Sequence, residues 1–155
     1  MEWAPALAAG QHVVVAERRQ RSYMLVFAGD DNKISDCMLA HPYSAGPEAT
    51  VGGWSQNTTT SQRLARPAGS AATLVGGGSE TDTDPGISTS TTRTYLYGRS
   101  GPGVAKITFR IGANTGSATV TAGGWWAAWY PGSAPIPTSV QVTDRTGQVH
   151  RQPIG

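Results

Sequence analysis

An aromatic segment at residues 123 to 132 is the part of the sequence best suited to binding a ligand. Successive side chains of a strand point to opposite faces, so Trp126 and Tyr130 lie on the same face of this segment. If that face is open, its flat rings can stack on the rings of sugars. This interpretation makes Trp126, Tyr130 and the separate Trp54 the candidate ligand-binding residues.

The same segment also fits a buried central strand. It holds three of the five tryptophans of the chain, and aromatic side chains bury more area than any others. No polar side chain is interleaved among the rings to orient a sugar, so we favour a core position for this segment. The predicted core comprises Trp125, Trp129, Phe109, Ile107, Val120, Leu25 and Phe27.

Cys37, with Asp36 beside it and His41 nearby, is the closest approach to a hydrolase site. A nucleophilic cysteine needs a histidine or a positive neighbourhood to lower its pKa, and His41 is the one local candidate. A lone cysteine is more often a small buried apolar residue, and a single cysteine excludes an intrachain disulfide. The remaining acids are scattered singly, so the sequence predicts no catalytic residues and no enzyme.

An acidic stretch at Glu80, Asp82 and Asp84 spaces its carboxylates two residues apart, as calcium-binding loops do. It departs from the EF-hand pattern because Pro85 precedes the glycine and no glutamate follows at the bidentate position. Calcium binding by these three residues therefore stays open beside a solvated loop. The histidines lack the spacing of a zinc site, and no phosphate-binding glycine motif occurs, so we predict no cofactor.

The composition favours an all-β protein of one domain. Of the 155 residues, 14% are charged, against roughly 25% in a typical soluble domain, and glycine, serine and threonine replace the missing charge. A net charge of +2 gives no reason to expect nucleic acid or an anionic membrane as a partner. No apolar run reaches the roughly 18 residues of a membrane span, and no signal peptide is visible.

Alternating apolar residues predict several strands separated by turns. The clearest strand is 105 to 111, which places Ala105, Ile107, Phe109 and Ile111 on one face. Strands are also predicted at residues 12 to 17, 22 to 28, 33 to 39 and 93 to 98, around Val140 and Val142, and through Val149. Regular spacing of short strands and turns predicts an antiparallel β-sandwich, either immunoglobulin-like or barrel-like.

The segment from 55 to 92 differs from the rest because serine, threonine and glycine make up more than half of it. We predict a long surface loop here, with short strands only around residues 72 to 75 and near Ile87. The glycine run at 76 to 78 is interpreted as flexible. Residues 1 to 10 are expected to form an irregular N-terminal arm.

The segments 98 to 104 (GRSGPGV) and 124 to 132 (GWWAAWYPG) resemble a pattern in actinobacterial single-pass membrane proteins. Residues 35 to 37 and 52 to 54 fit the same pattern loosely. It occurs in the extracytoplasmic domains of these proteins, which include anti-sigma-factor-like and uncharacterised members. The resemblance implies a non-enzymatic interaction or sensing domain outside the cytoplasm, anchored to the membrane only through a flanking helix. Its partner would be a protein or a cell-wall component, and the alternative is a carbohydrate or cell-wall binding module that uses exposed aromatics.

Overall fold

A computed structural model describes residues 10–19, 22–29, 32–40, 51–83 and 90–155, and within these ranges the chain is almost entirely β. One short helix, α1 (Ser61–Leu64), begins at Thr60, whose hydroxyl accepts a hydrogen bond from the amide of Arg63. The strands are β1 (His12–Arg19), β2 (Ser22–Ala28), β3 (Lys33–Ala40), β4 (Val51–Thr58), β5 (Ala72–Thr83), β6 (Ser90–Ser100), β7 (Val104–Ile111), β8 (Asn114–Ser117), β9 (Thr119–Val120), β10 (Trp125–Pro131), β11 (Ser139–Asp144) and β12 (Val149–Pro153).

The described strands form three four-stranded sheets, with the orders β1-β2-β3-β4, β5-β6-β10-β9 and β12-β11-β7-β8. We call these the N-terminal, middle and C-terminal sheets. Neighbouring strands run antiparallel throughout. The predicted all-β class with antiparallel sheets is therefore confirmed. The predicted N-terminal arm lies outside the described residues, except for Gly10.

Strand β10 is buried on both of its faces, so the aromatic segment lies at the centre of the molecule. Trp125, Ala127 and Trp129 pack in one apolar cluster together with Met24, Val26, Ile34 and Met38 of the N-terminal sheet. Trp126, Ala128 and Tyr130 pack in a second cluster together with Ile107, Phe109, Val140 and Val142 of the C-terminal sheet. The middle sheet thus separates two cores, and the single predicted core is wrong in combining residues of both.

The sequence did not identify which face of strand β2 packs in the core. Met24, Val26 and Ala28 point into the first core, whereas Leu25 is half-buried and Phe27 is buried outside that cluster. Placing Leu25 and Phe27 in the common core was therefore wrong. Both faces of this strand are apolar, and the face that carries Met24 and Val26 is the one that packs against Trp125 and Trp129 of the middle sheet.

Strand β7 follows the predicted alternation except at its first residues. Ile107 and Phe109 are buried as predicted, but Ala105 is exposed and Val104 takes the inward position. The pairing of β7 with β11 shifts by one residue between Lys106 and Val104. Such a bulge moves the side chains beyond it to the other face of the strand.

The predicted long loop is instead the longest hairpin among the described strands. Strand β5 begins at residue 72, as predicted, but it continues to residue 83 and pairs along its length with β6. Its glycines accommodate the aromatic rings of β6: a Cβ on Gly76 would lie 2.5 Å from the hydroxyl oxygen of Tyr97, and one on Gly78 would lie 3.2 Å from that of Tyr95. The strand predicted near Ile87 lies outside the described residues.

Hydrogen exchange distinguishes a paired β5 from a surface loop. The amides of β5 that face β6 are expected to exchange far more slowly than those of the irregular segment 133 to 137, because ladder hydrogen bonds must break before exchange. Native-state exchange measured by NMR checks this. Equal exchange rates in the two segments would contradict the pairing.

Polar contacts attach the N-terminal sheet to the end of β8 and the start of β9. The Glu17 carboxylate, 5% exposed, accepts hydrogen bonds from the backbone amide of Thr119 at 3.1 Å and from Nε of Arg19 at 2.8 Å. Arg19 also donates to the carbonyl of Ser117. A buried carboxylate with charge-assisted partners on two elements fixes how these elements meet.

Candidate binding site

The two aromatic candidates in β10 are not on the surface. Trp126 is 0% exposed and Tyr130 is 4% exposed, because the C-terminal sheet covers the face that they share. Stacking of sugars on Trp126 and Tyr130 is therefore ruled out as the mode of binding. The side chain of Trp54, in β4, falls outside the described part of the structure.

A polar crevice of about 250 Å³ lies where the N-terminal sheet meets the β5–β6 hairpin. Asp36 of β3 and Tyr97 of β6 form its inner wall, and the Tyr97 hydroxyl donates a hydrogen bond to Oδ2 of Asp36 at 2.9 Å. Arg63, which is exposed, and Thr58 line the crevice near solvent. We call this feature the Asp36 crevice.

Asp36 is a buried carboxyl group, 4% exposed, whose hydrogen bonds only partly replace water. Burial raises its pKa above the usual value, and hydrogen bonds from Tyr97, Ser55 and Tyr95 oppose that rise. A carboxylate has about four acceptor positions, so these hydrogen bonds do not fill all of them. The group is thus able to accept a hydrogen bond from a molecule in the crevice.

The two tyrosines of the crevice are held in their protonated form. Burial, together with the negative charge of Asp36, raises the pKa of Tyr95 to about 12 and raises the pKa of Tyr97 further above its usual value. Their hydroxyl groups therefore remain hydrogen-bond donors at any physiological pH. Since Tyr97 donates its hydroxyl proton to Asp36, the crevice presents the Asp36 carboxylate as a buried acceptor held by fixed donors.

Cys37 does not belong to this crevice. It follows Asp36 in β3 and so points to the opposite face of the sheet, where it is 1% exposed. Burial, reinforced by the charges of Glu80 and Asp36, raises the pKa of its thiol to about 12. A thiol that stays protonated is a poor nucleophile. His41 lies outside the described residues, so the structure brings only Asp36 of the predicted trio to the candidate site.

The predicted calcium ligands are only partly described, since the side chain of Asp82 and all of Asp84 fall outside the described residues. Within the ranges that the structure covers, no three His, Cys, Asp or Glu side chains are grouped so as to hold a metal. In the same ranges no helix has the length and apolar character needed to cross a bilayer.

Sequence reasoning passed over the residues that build the crevice, apart from Asp36. The sequence nevertheless contains a pattern that indicates the crevice. Gly76 and Gly78 are two residues apart, and so are Tyr95 and Tyr97. Two glycines at a spacing of two, matched to two aromatic residues at the same spacing, fit opposite one another on paired strands. The glycine run was interpreted as flexible, and that interpretation hid the pairing.

Comparison with protein-family models, with curated proteins and with solved structures gave no match to this chain. The candidate function therefore rests on the chemistry of the Asp36 crevice and on the resemblance in sequence described above.

The raised pKa of Asp36 makes a specific contribution to the pH dependence of stability. Because the folded protein holds this proton more tightly than the unfolded chain, the stabilisation is fully present below about pH 3.8. It is lost as the pH rises through the higher pKa of the folded state. Asp36→Asn removes this titration, so the stability of the wild type relative to the variant is expected to fall across that window and then level off. Urea unfolding at a series of pH values checks this, and a relative stability that rises with pH would contradict it.

Proposed function

We propose that this chain is a non-enzymatic interaction or sensing domain that binds its ligand in the Asp36 crevice. One observation carries the proposal: the buried carboxylate of Asp36, held by the Tyr97 hydroxyl, forms the wall of a crevice that exposed residues line near solvent. Burying a carboxyl group costs stability unless it has a partner, and placing it beside a crevice is characteristic of binding sites.

The chemistry of the crevice favours binding over catalysis. General acid–base catalysis works best with groups whose pKa lies near the working pH. The tyrosine hydroxyls have pKa values well above that range, and the thiol of Cys37 faces away from the crevice. The hydroxyl groups therefore hold the Asp36 carboxylate in place and do not exchange protons with a bound molecule.

The ligand that fits this arrangement both donates and accepts hydrogen bonds. A hydroxyl or an amide can donate to Asp36, and an amide carbonyl can accept from the guanidinium of Arg63 across the crevice. The side-chain amide of a partner protein has this chemistry, and so does an N-acetylated sugar of a cell wall. The second candidate, a carbohydrate-binding module, thus shifts from the buried β10 aromatics to the Asp36 crevice.

We also propose an extracytoplasmic location with a membrane anchor flanking the domain. The sequence resemblance in residues 98 to 104 and 124 to 132 supports this location. Protease treatment of intact cells of the native host, followed by detection of the domain with an antibody, tests it. Protection from the protease until the cells are lysed would contradict the proposal.

NMR titration with N-acetylglucosamine and with acetamide as probes tests the binding proposal. The backbone amides of Gly76, Gly77 and Tyr97 are expected to shift on titration, since these residues line the crevice. Tyr97→Phe keeps the ring but removes the hydroxyl that holds Asp36, and it is expected to weaken the response about five- to tenfold. Tyr23→Phe, outside the crevice, serves as the matched control. Shifts confined to other parts of the protein, or equal responses in both variants, would contradict the proposal.

A further inference from the structure

The guanidinium of Arg99 is buried and forms no ion pair with any residue that the structure describes. Arg99 is 8% exposed, and its Cζ lies 4.4 Å from the ring centroid of Trp125. Its Nε has no hydrogen-bond acceptor. Stacking on an indole ring offsets part of the free-energy cost of desolvating a guanidinium. It leaves the N–H groups at the edge of the guanidinium available as hydrogen-bond donors.

The side chain of a second arginine, Arg66, contacts the chain neighbours of Arg99 and Trp125. Nε of Arg66 donates to the carbonyl of Ser100 at 3.2 Å, and the side chain packs against Gly124, in space that a Cβ there would occupy. The positive charge of Arg66 adds to the effect of burial and lowers the pKa of Arg99. Two like charges are thus held together by packing and not by an intervening acid.

Among the described residues, no carboxylate forms an ion pair with Arg66 or Arg99. Burying a charge without a counterion is strongly unfavourable, and a second like charge nearby adds to the cost. An anion between the guanidinium groups would remove both penalties. Arginine suits this role because its planar fork of donors matches the oxygens of phosphate and sulfate.

A cleft of about 480 Å³ lies next to Arg66, and Arg99 is not among the residues that line it, so an anion that enters the cleft meets Arg66 first. Arg63 and Arg66 line the cleft, and so does Thr73, which lies directly opposite Arg99 in the pairing of β5 with β6. We propose that Arg66 and Arg99 bind a tetrahedral oxyanion, a phosphate or sulfate group, and that Arg63 adds a third positive charge at the entrance. This anion site goes beyond the proposed function and does not depend on it.

Isothermal titration with inorganic phosphate and with sulfate, at constant ionic strength set by chloride, tests the site. Saturable binding is expected, together with a rise in Tm when phosphate replaces chloride, because a ligand that binds only the folded state stabilises it. Arg66→Gln is expected to weaken binding about tenfold or more, which is the loss of one charge-assisted contact. The exposed position of Arg66 makes this variant safe for folding. Arg110→Gln, which removes an exposed arginine from the C-terminal sheet, is the matched control and is expected to bind as the wild type does.

Two further measurements identify the form of the anion and separate this site from the Asp36 crevice. Methyl phosphate bound as tightly as inorganic phosphate would assign the site to a phosphate ester on a larger molecule, and a preference for the inorganic ion would assign it to the free anion. Asp36→Asn is expected to leave anion binding intact, so this site and the Asp36 crevice are separable. The absence of saturable binding up to about 50 mM, a range that includes weak millimolar affinities, would overturn the proposal. Equal affinities in the Arg66→Gln and Arg110→Gln variants would also overturn it.

Discussion

Replacing Trp126 with alanine is expected to lower the free energy of unfolding by about 3–5 kcal/mol. Trp126 is 0% exposed and lies in the core between the middle and C-terminal sheets. Its Nε1 also donates to the carbonyls of Arg99 at 3.0 Å and Thr73 at 3.2 Å. The substitution therefore leaves a large cavity and removes a donor that two strands share.

Urea unfolding of the purified variants measures this effect. Trp126→Phe keeps most of the apolar volume and removes the indole N–H, so it is expected to cost clearly less than the alanine variant. A loss below about 1 kcal/mol for Trp126→Ala would show that the residue is peripheral, because substitutions of that size are typical of half-exposed positions. The central place of β10 would then be wrong.

Gly98→Ala is expected to destabilise the protein by more than about 3 kcal/mol, which is the upper range for overpacking a core. Gly98 pairs with Leu74 of β5 and Trp126 of β10, so it lies at the centre of the middle sheet. An added Cβ would overlap the carbonyl oxygen of Thr73 and approach two ring atoms of Trp126 to 2.8 Å. Neither neighbour is free to move without breaking strand pairing or the second core.

Gly123→Ala is the matched control for this prediction. Gly123 is exposed, and an added Cβ would meet only the Thr121 hydroxyl oxygen, at 3.9 Å. It is expected to change stability by less than about 0.5 kcal/mol, as most surface substitutions do. Thermal or urea unfolding of both variants gives the comparison, and equal effects would contradict the packing of Gly98 described here.

The elements with a single apolar face were predictable from sequence. Strand β7 alternates beyond the bulge at its start, and its buried residues Ile107 and Phe109 are where the pattern predicts them. The two faces of β10 were also predicted, because alternation in a strand follows from backbone geometry alone. These features depend on local sequence, so no knowledge of the partner strands was needed.

The parts that depend on partners were not predictable in this way. Strand β2 is apolar on both faces, so only the packing of the N-terminal sheet against β10 determines that Met24 enters the core and Leu25 does not. The β5–β6 hairpin looked like a loop because its glycines have no side chains to show alternation. They leave space for the rings of Tyr95 and Tyr97, and that complementarity is visible only once the strands are paired.

The Asp36 crevice could not be predicted from sequence for the same reason. Asp36 and Tyr97 are 61 residues apart in sequence, and their contact depends on packing of the N-terminal sheet against the middle sheet. The sequence did carry one signal of this crevice: a single acidic residue, Asp36, within an apolar strand. From sequence, that residue is considered only as part of a hydrolase site. A lone buried carboxyl group needs donors, and the two tyrosines supply them.

A crystal structure of the protein soaked with N-acetylglucosamine or acetamide tests whether the Asp36 crevice binds a ligand. The expected result is an open crevice in which the bound molecule donates a hydrogen bond to the Asp36 carboxylate, while the Tyr97 hydroxyl remains within hydrogen-bond distance of Oδ2 of Asp36. A crevice closed by the side chains of Tyr95 and Arg63, with neither molecule reaching Asp36, would contradict the account.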